Sequence, residues 1–183
     1  MVVMDASTLM LLFHPSAKPP IDPATGAPVA KCRERIDLLL LNLSEAGIKV
    51  MVPTPVLSEL LVRVGPDKAR VLTEIHSAYA FKVQPFDTVA AVEVAHLTDS
   101  DLQSGKRLTD VQTYAKVKYD RQIIAIAKVS GISTIYSDDI NLGERAAANG
   151  IRCVTTAELP LPPEEPQQEL PLEQPSAADS EDA

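Results

Sequence analysis

The spacing of apolar positions changes along the chain, and each change marks an element. Residues 2–4, "VVM", form a short continuous apolar run, the pattern of a strand covered on both faces. In "CRERIDLLLLNLSEAG", Ile36, Leu39, Leu40 and Leu43 recur at helical spacing, and Gly47 supplies the stop. "IKVMVP" predicts a second buried strand. "TPVLSELLVRVG" predicts a helix with Thr54 as N-cap and Pro55 at the first helical position, where a missing N–H costs nothing. Val71, Leu72, Ile75 and Tyr79 predict another helical face, "FKVQPF" a short strand, and Asp87 a cap for the helix "TVAAVEVAHL". "VQTYAKVKYDRQIIAIAKVSG" reads as a long helix closed by Gly131, and "ISTIYS" and "IRCVTT" read as strands on either side of "DDINLGERAAANG". Five strands alternating with helices require crossover connections. The fold class is therefore α/β, with helices on both faces of a central, mostly parallel five-stranded sheet.

Two stretches fall outside this rhythm. Residues 14–31, "HPSAKPPIDPATGAPVAK", hold five prolines and predict a loop leaving the core. Residues 160–183 hold six prolines, seven acids and no Lys or Arg, a composition that cannot bury enough apolar surface to offset its ordering entropy. The expected organisation is one domain over residues 1–158 and a disordered acidic tail over 159–183. The tail also changes the meaning of the net charge of −8. Removing its seven acids from the total of 25 leaves 18 against 17 Lys and Arg, so the body is nearly neutral and a polyanionic partner is not excluded. Asp5 interrupts the N-terminal apolar run, and no run approaches the ~20 residues of a membrane span; a cytoplasmic protein without a secretory signal is expected.

Cys32 and Cys153 stand far apart, and His14, His76 and His96 lack metal-ligand spacing, so neither a disulfide framework nor a nitrogen- or sulfur-ligated metal is indicated. No glycine-rich phosphate loop is present. The chemistry lies in the acids. Asp5 follows the first strand, Asp138 and Asp139 follow "ISTIYS", and Glu59 lies in the helix after the second strand. Ligands of open parallel sheets bind at these carboxyl ends. Asp120 lies within the apolar stripe of its own helix, with Val117, Ile123, Ile124 and Ala127. Taken singly, each acid has an ordinary structural role: Asp5 or Asp139 as a helix cap, Glu59 as a solvated residue, Asp120 paired with Lys116 or Arg121. Taken together, four acids converging on one end of a sheet would repel one another unless hard cations sat between them, and oxygen-only ligation suits Mg²⁺ or Mn²⁺.

"VVMDASTL", the Glu of "VPTPVLSELL", the Asp of "KYDRQIIAIAKVSG" and "TIYSDDINL" resemble, in order and local context, the acidic motifs of PIN-domain ribonucleases, and of the VapC-like toxin subgroup in particular. The resemblance spans residues 1–158. It implies a three-layer α/β/α fold and hydrolysis of RNA phosphodiester bonds assisted by Mg²⁺ or Mn²⁺. Asp5, Glu59, Asp120 and Asp139 are implied as metal-binding catalytic acids, with Ser7, Ser137 and Asp138 around them. Asp138 and Asp139 are adjacent and point in alternate directions; the motif favours Asp139. Lys106, Arg107, Lys116, Lys118, Arg121 and Lys128 cluster near Asp120 and are candidates for gripping the RNA backbone. Further expectations are a homodimer, from apolar helical faces over residues 32–47 and 66–80, and an antitoxin partner. Alternatives are a haloacid-dehalogenase-like phosphatase, suggested by "YSDDINLGERAAANGI", and a non-catalytic RNA- or protein-binding module. The phosphatase reading requires a second acid where Ser7 stands and leaves Asp120 unexplained.

Overall fold

The computed structural model describes residues 1–103 and 111–163. Five strands, β1 (Val2–Met4), β2 (Val50–Pro53), β3 (Phe81–Gln84), β4 (Thr134–Tyr136) and β5 (Arg152–Val154), form one parallel sheet in the order β3-β2-β1-β4-β5. The chain starts at the centre, builds outward through β2 and β3, and then returns to place β4 and β5 on the other side of β1. Such a reversal opens a crevice at the carboxyl ends of the two central strands. Here that point lies between β1 and β4, paired with Val3 opposite Ile135 and Met4 opposite Tyr136.

Among the described residues, seven α-helices flank the sheet in a three-layer α/β/α arrangement: α1 (Ala6–Phe13), α2 (Cys32–Glu45), α3 (Thr54–Arg63), α4 (Lys68–Ser77), α5 (Thr88–Gln103), α6 (Val111–Val129) and α7 (Ile140–Ala148). The core runs through β1 and β2, where Val3, Met4, Val50 and Val52 are fully buried, to Ile36 of α2, Leu60 of α3 and Ile124 and Ile126 of α6. Gly47 and Gly131 adopt φ of 67° and 65° just after α2 and α6, the left-handed conformation that ends a helix. Both cysteines are free, and no described helix is long and apolar enough to cross a membrane.

The structure departs from the sequence pattern at particular residues. Thr54 is the first residue of α3 rather than its cap, and its hydroxyl instead accepts the Phe86 backbone N–H at 3.0 Å, tying the turn after β3 to the helix start. Helix α4 ends at Ser77, because Ala78 is extended; Tyr79 is 81% exposed, and the ammonium of Lys49 lies 3.8 Å from its ring centroid. The apolar faces of α2 and α4 turn inward, burying Ile36, Leu39, Leu43, Val71 and Ile75, while within the two stretches expected to drive association Leu41 and Tyr79 stay on the surface. Leu159, assigned by composition to the tail, is buried, and Arg35 donates to its carbonyl, so the core extends one residue past Glu158. Residues 164–183 of the tail, together with Lys106 and Arg107, lie outside the described residues.

Candidate active site

Met4 and Tyr136 are partners in the sheet, so the residues that follow them emerge side by side. Asp5 donates its backbone N–H to the Tyr136 carbonyl at 3.0 Å, and Ser137 donates to the Val154 carbonyl at 3.1 Å. Helix α1 starts directly after Asp5, which caps it through a 3.5 Å contact from the Ser7 N–H. The ordinary capping role is thus real, but it occupies little of the carboxylate.

Two serines fix the rest. Ser7 Oγ and Ser137 Oγ both donate to Asp5 Oδ2 at 3.0 Å. Each hydroxyl in turn accepts a backbone N–H from the loop after β4: Ser7 from Asp138 at 3.2 Å and Ser137 from Asp139 at 3.0 Å. A hydroxyl has one proton, and with both protons committed to Asp5 the 3.3 Å approach of the two oxygens is contact rather than a further bond. The result is a closed network in which Asp5 and the Asp138-Asp139 loop hold each other in place. Asp5 is 7% exposed, and among the described residues its Oδ1 takes no hydrogen bond.

Asp138 and Asp139 diverge as alternation predicts. Asp138 turns away, accepting from the Thr156 N–H at 2.8 Å and the Thr156 hydroxyl at 2.6 Å. Asp139 caps α7, its Oδ1 accepting from the Asn141 and Leu142 N–H groups, while Oδ2 pairs with Lys116 at 2.8 Å. Burial alone pushes Asp139 up, but the Lys116 hydrogen bond and the two amides more than offset it and hold the carboxyl below its usual range.

Asp120, on α6, is the most strained of the acids. It is 5% exposed, and its cationic partner is neither Lys116 nor Arg121 but Arg145 of α7, whose Nε donates to Oδ2 at 3.3 Å. Burial first, and the charge of Asp139 second, push its pKa up to about 6 against the pull of Arg145 and Lys116. Glu59, on α3, is raised in the same direction by burial, with Asp5 and Asp139 adding to it, although Arg63 pairs with it at 2.6 Å. These four acids, from four elements, line one cavity of about 550 Å³.

Among the described residues no three His, Cys, Asp or Glu side chains close tightly around one point. Asp139, Asp120 and Glu59 are each paired with a cation, Lys116, Arg145 and Arg63 respectively. The donors nevertheless fit a hard divalent ion. All are oxygens, Asp5 presents an oxygen with no hydrogen bond, and burial and mutual repulsion leave Asp120 and Glu59 favouring an added positive charge.

Arg145, Arg63 and Tyr119 did not emerge from sequence reasoning. Arg63 lies one turn after Glu59, a signal that i,i+4 spacing carries. Tyr119 lies three residues after Lys116 on the same face of α6; it is 50% exposed and lines the cavity. Arg145 had no local signal, being 25 residues from its partner. Lys118 sits about 200° around α6 from Lys116, at ~100° per residue, and neither it nor Arg121 lines this cavity; Lys128 is committed to Glu93 at 2.5 Å.

No family model and no curated protein matches the sequence. Solved structures do match the fold. A chain of FitAcB from Neisseria gonorrhoeae is 18% identical, with 87% of this chain and 100% of that one covered and a TM-score of 0.53. VapBC2 from Rickettsia felis, bound to a DNA fragment from its promoter, is 13% identical over 85% of this chain and 98% of that chain, TM-score 0.53. DNA-bound VapBC from Salmonella typhimurium is 15% identical over 85% and 99%, also at 0.53. These neighbours are PIN-domain proteins, and this chain has the PIN-domain fold.

Proposed function

We propose that the chain is a divalent-metal-dependent endoribonuclease acting through the acidic cavity, and the toxin of a toxin–antitoxin pair. The observation that carries this reading is the convergence of Asp5, Glu59, Asp120 and Asp139 on one cavity at the switch point of the sheet, with Asp120 buried and raised to about 6. A buried carboxylate raised by desolvation and by a neighbouring acid is relieved by a bound cation, which a purely structural role does not explain. The matched structures include two VapBC complexes bound to DNA, and they support an antitoxin partner by analogy of fold.

Asp5, Asp120 and Asp139 would hold Mg²⁺ or Mn²⁺, with Glu59 beside them. The bound ion would supply a water of lowered pKa and neutralise charge on the phosphate. The protein's share is positioning. Ser7 and Ser137 keep Asp5 in one rotamer and tie it to the loop bearing Asp139. Lys116, Arg63 and Arg145 already face these carboxylates, so they are placed to receive phosphate oxygens once the acids are otherwise engaged. Tyr119 offers a half-exposed ring beside Asp120 on which an unpaired base can stack. A phosphatase reading gains no support, since Ser7 serves Asp5 as a hydrogen-bond donor and no second acid stands in its place.

Exposed apolar residues lie on α3 and α5, where Val62, Val89 and Val92 are 78%, 62% and 52% exposed. These, with Leu41 of α2 at 55%, are the exposed apolar residues available to the expected homodimer, and sedimentation of a Val62→Lys/Val89→Lys variant as monomer beside dimeric wild type would test it. The activity is tested by incubating the full chain with a panel of single-stranded and structured RNAs in Mn²⁺, in EDTA, and as Asp5→Asn. Cleavage only by the wild type in Mn²⁺ is the expected result; cleavage that survives EDTA or Asp5→Asn refutes the proposed site.

A further inference from the structure

We propose that the proline-rich excursion of residues 14–31 builds a second binding site, a subsite for one unpaired nucleotide of the RNA strand whose phosphate lies in the acidic cavity. The inference rests on the ribonuclease reading.

The excursion is a pinned turn. Ile21 and Pro28 form an antiparallel bridge, Val29 donates to the Pro20 carbonyl at 2.9 Å and Asp22 to that of Ala27 at 2.9 Å. The Asp22 carboxylate accepts from the Ala24 N–H and the Thr25 hydroxyl, and Val29 is buried as an anchor. Adjacent Pro19 and Pro20 restrict the backbone further.

Between this turn and α1 lies a cavity of about 260 Å³. Its apolar wall is Met10 and Leu11 from α1 and Ala17 and Pro20 from the excursion. Ser7 and Arg63 line it as well, and both also line the acidic cavity, so the two spaces meet at these side chains. A strand held at Asp5 would reach it by passing Ser7 and Arg63.

The chemistry of the lining selects the occupant. Apolar walls suit the face of a base, and the volume, below the ~300–1,000 Å³ of cavities for drug-sized ligands, limits the guest to a single nucleotide. Lys18 is exposed at the rim and makes no ion pair among the described residues, and with Arg63 it places positive charge where a backbone phosphate would pass. Asp138 has both oxygens tied to Thr156 and gives the lining a fixed negative group. That charge repels phosphate from the interior and can accept from a base amino group, so the base enters and the phosphate stays at the rim. A duplex cannot supply such a base without unpairing it, so the site favours single-stranded RNA or loops.

The test uses the full chain with fluorescent single-stranded 12-mer RNAs of mixed sequence in Mn²⁺, reading kcat/KM, KM and the distribution of cut sites. Ala17→Trp fills the cavity from its outer wall and should lower kcat/KM about tenfold or more, mainly through KM, and change the cut-site distribution. The stabilisation by Mn²⁺ should be unchanged, since no acid of the main cavity is touched. Lys18→Ala, at an exposed position that does not threaten folding, should weaken binding and reduce the slope of log affinity against log salt by about one. Wild-type activity with unchanged kinetics, cut sites and salt slope in both variants would overturn the subsite and leave the ribonuclease reading standing. A wild type that cleaves no RNA would overturn both.

Discussion

Asp120 makes a quantitative prediction, because its burial separates its behaviour from that of an ordinary surface acid. A rise from the usual 3.8 to about 6 corresponds to about 3 kcal/mol at ~1.4 kcal/mol per pH unit. The folded-state pKa lies above the unfolded one, so the contribution of this group to stability is complete below the unfolded value and is lost as pH rises through about 6. Asp120→Asn cannot ionise and escapes that loss. The stability of the variant relative to wild type should therefore increase with pH. Roughly half the effect accrues below pH 5, so between pH 5 and pH 8 the variant should gain roughly 1–2 kcal/mol on wild type. For a domain of this size that is a relative rise in Tm of about 2–8 °C. Urea unfolding of both proteins in EDTA at the two pH values measures the difference directly, and contributions from other titrating groups largely cancel. A gap that stays constant or narrows as pH rises would refute the claim that burial and the charge of Asp139 strain this carboxylate. The same variant should lose RNA cleavage, a combination of gained stability and lost activity that a structural ion pair with Arg145 would not give.

Other residues make equally definite claims. A chain ending at Glu158 should lose about 1.5–3 kcal/mol in urea unfolding, the value of one buried leucine, whereas a chain ending at Pro163 should match the full-length protein. Equal stability of the two would show that Leu159 is not part of the core. Ser137→Ala leaves the Asp139 N–H without its acceptor and Asp5 without one donor, and should destabilise by about 1–3 kcal/mol while lowering cleavage. A change under about 0.5 kcal/mol with full activity counts against the network. Tyr119→Ala should weaken binding of single-stranded RNA by about 1–3 kcal/mol in fluorescence anisotropy with the Asp5→Asn background, and Tyr119→Phe should restore it. An unrestored loss in Tyr119→Phe would assign the effect to the hydroxyl rather than the ring.

Much of this architecture is legible in the sequence where a local rule decides it. Buried parallel strands appear as apolar runs, Gly47 and Gly131 stop helices because they adopt positive φ, and Asp87 caps α5 through the Ala90 N–H at 2.9 Å. Asp5 and Asp139 are visible because each ends a strand with a charge. What the sequence hides is set by packing between distant elements. Asp120 has Lys116 and Arg121 within one turn, yet it pairs with Arg145 because α7 packs beside α6 and Lys116 is taken by Asp139. Tyr79 extends an apolar pattern by the right spacing, but the helix ends two residues earlier, and nothing in the periodicity marks that end. Leu159 sits in a proline- and acid-rich context, and only the clamp from Arg35 on α2 shows that it belongs to the core.

Joint binding of a divalent cation by Asp5, Asp120 and Asp139 can be read from X-ray anomalous scattering of a crystal grown or soaked with Mn²⁺. A manganese peak is expected inside the cavity bounded by these three carboxylates, with Lys116 and Arg145 withdrawn from Asp139 and Asp120, and no such peak in Asp5→Asn. A cavity without manganese while the two ion pairs stay intact, or a peak bound elsewhere on the chain, would contradict it.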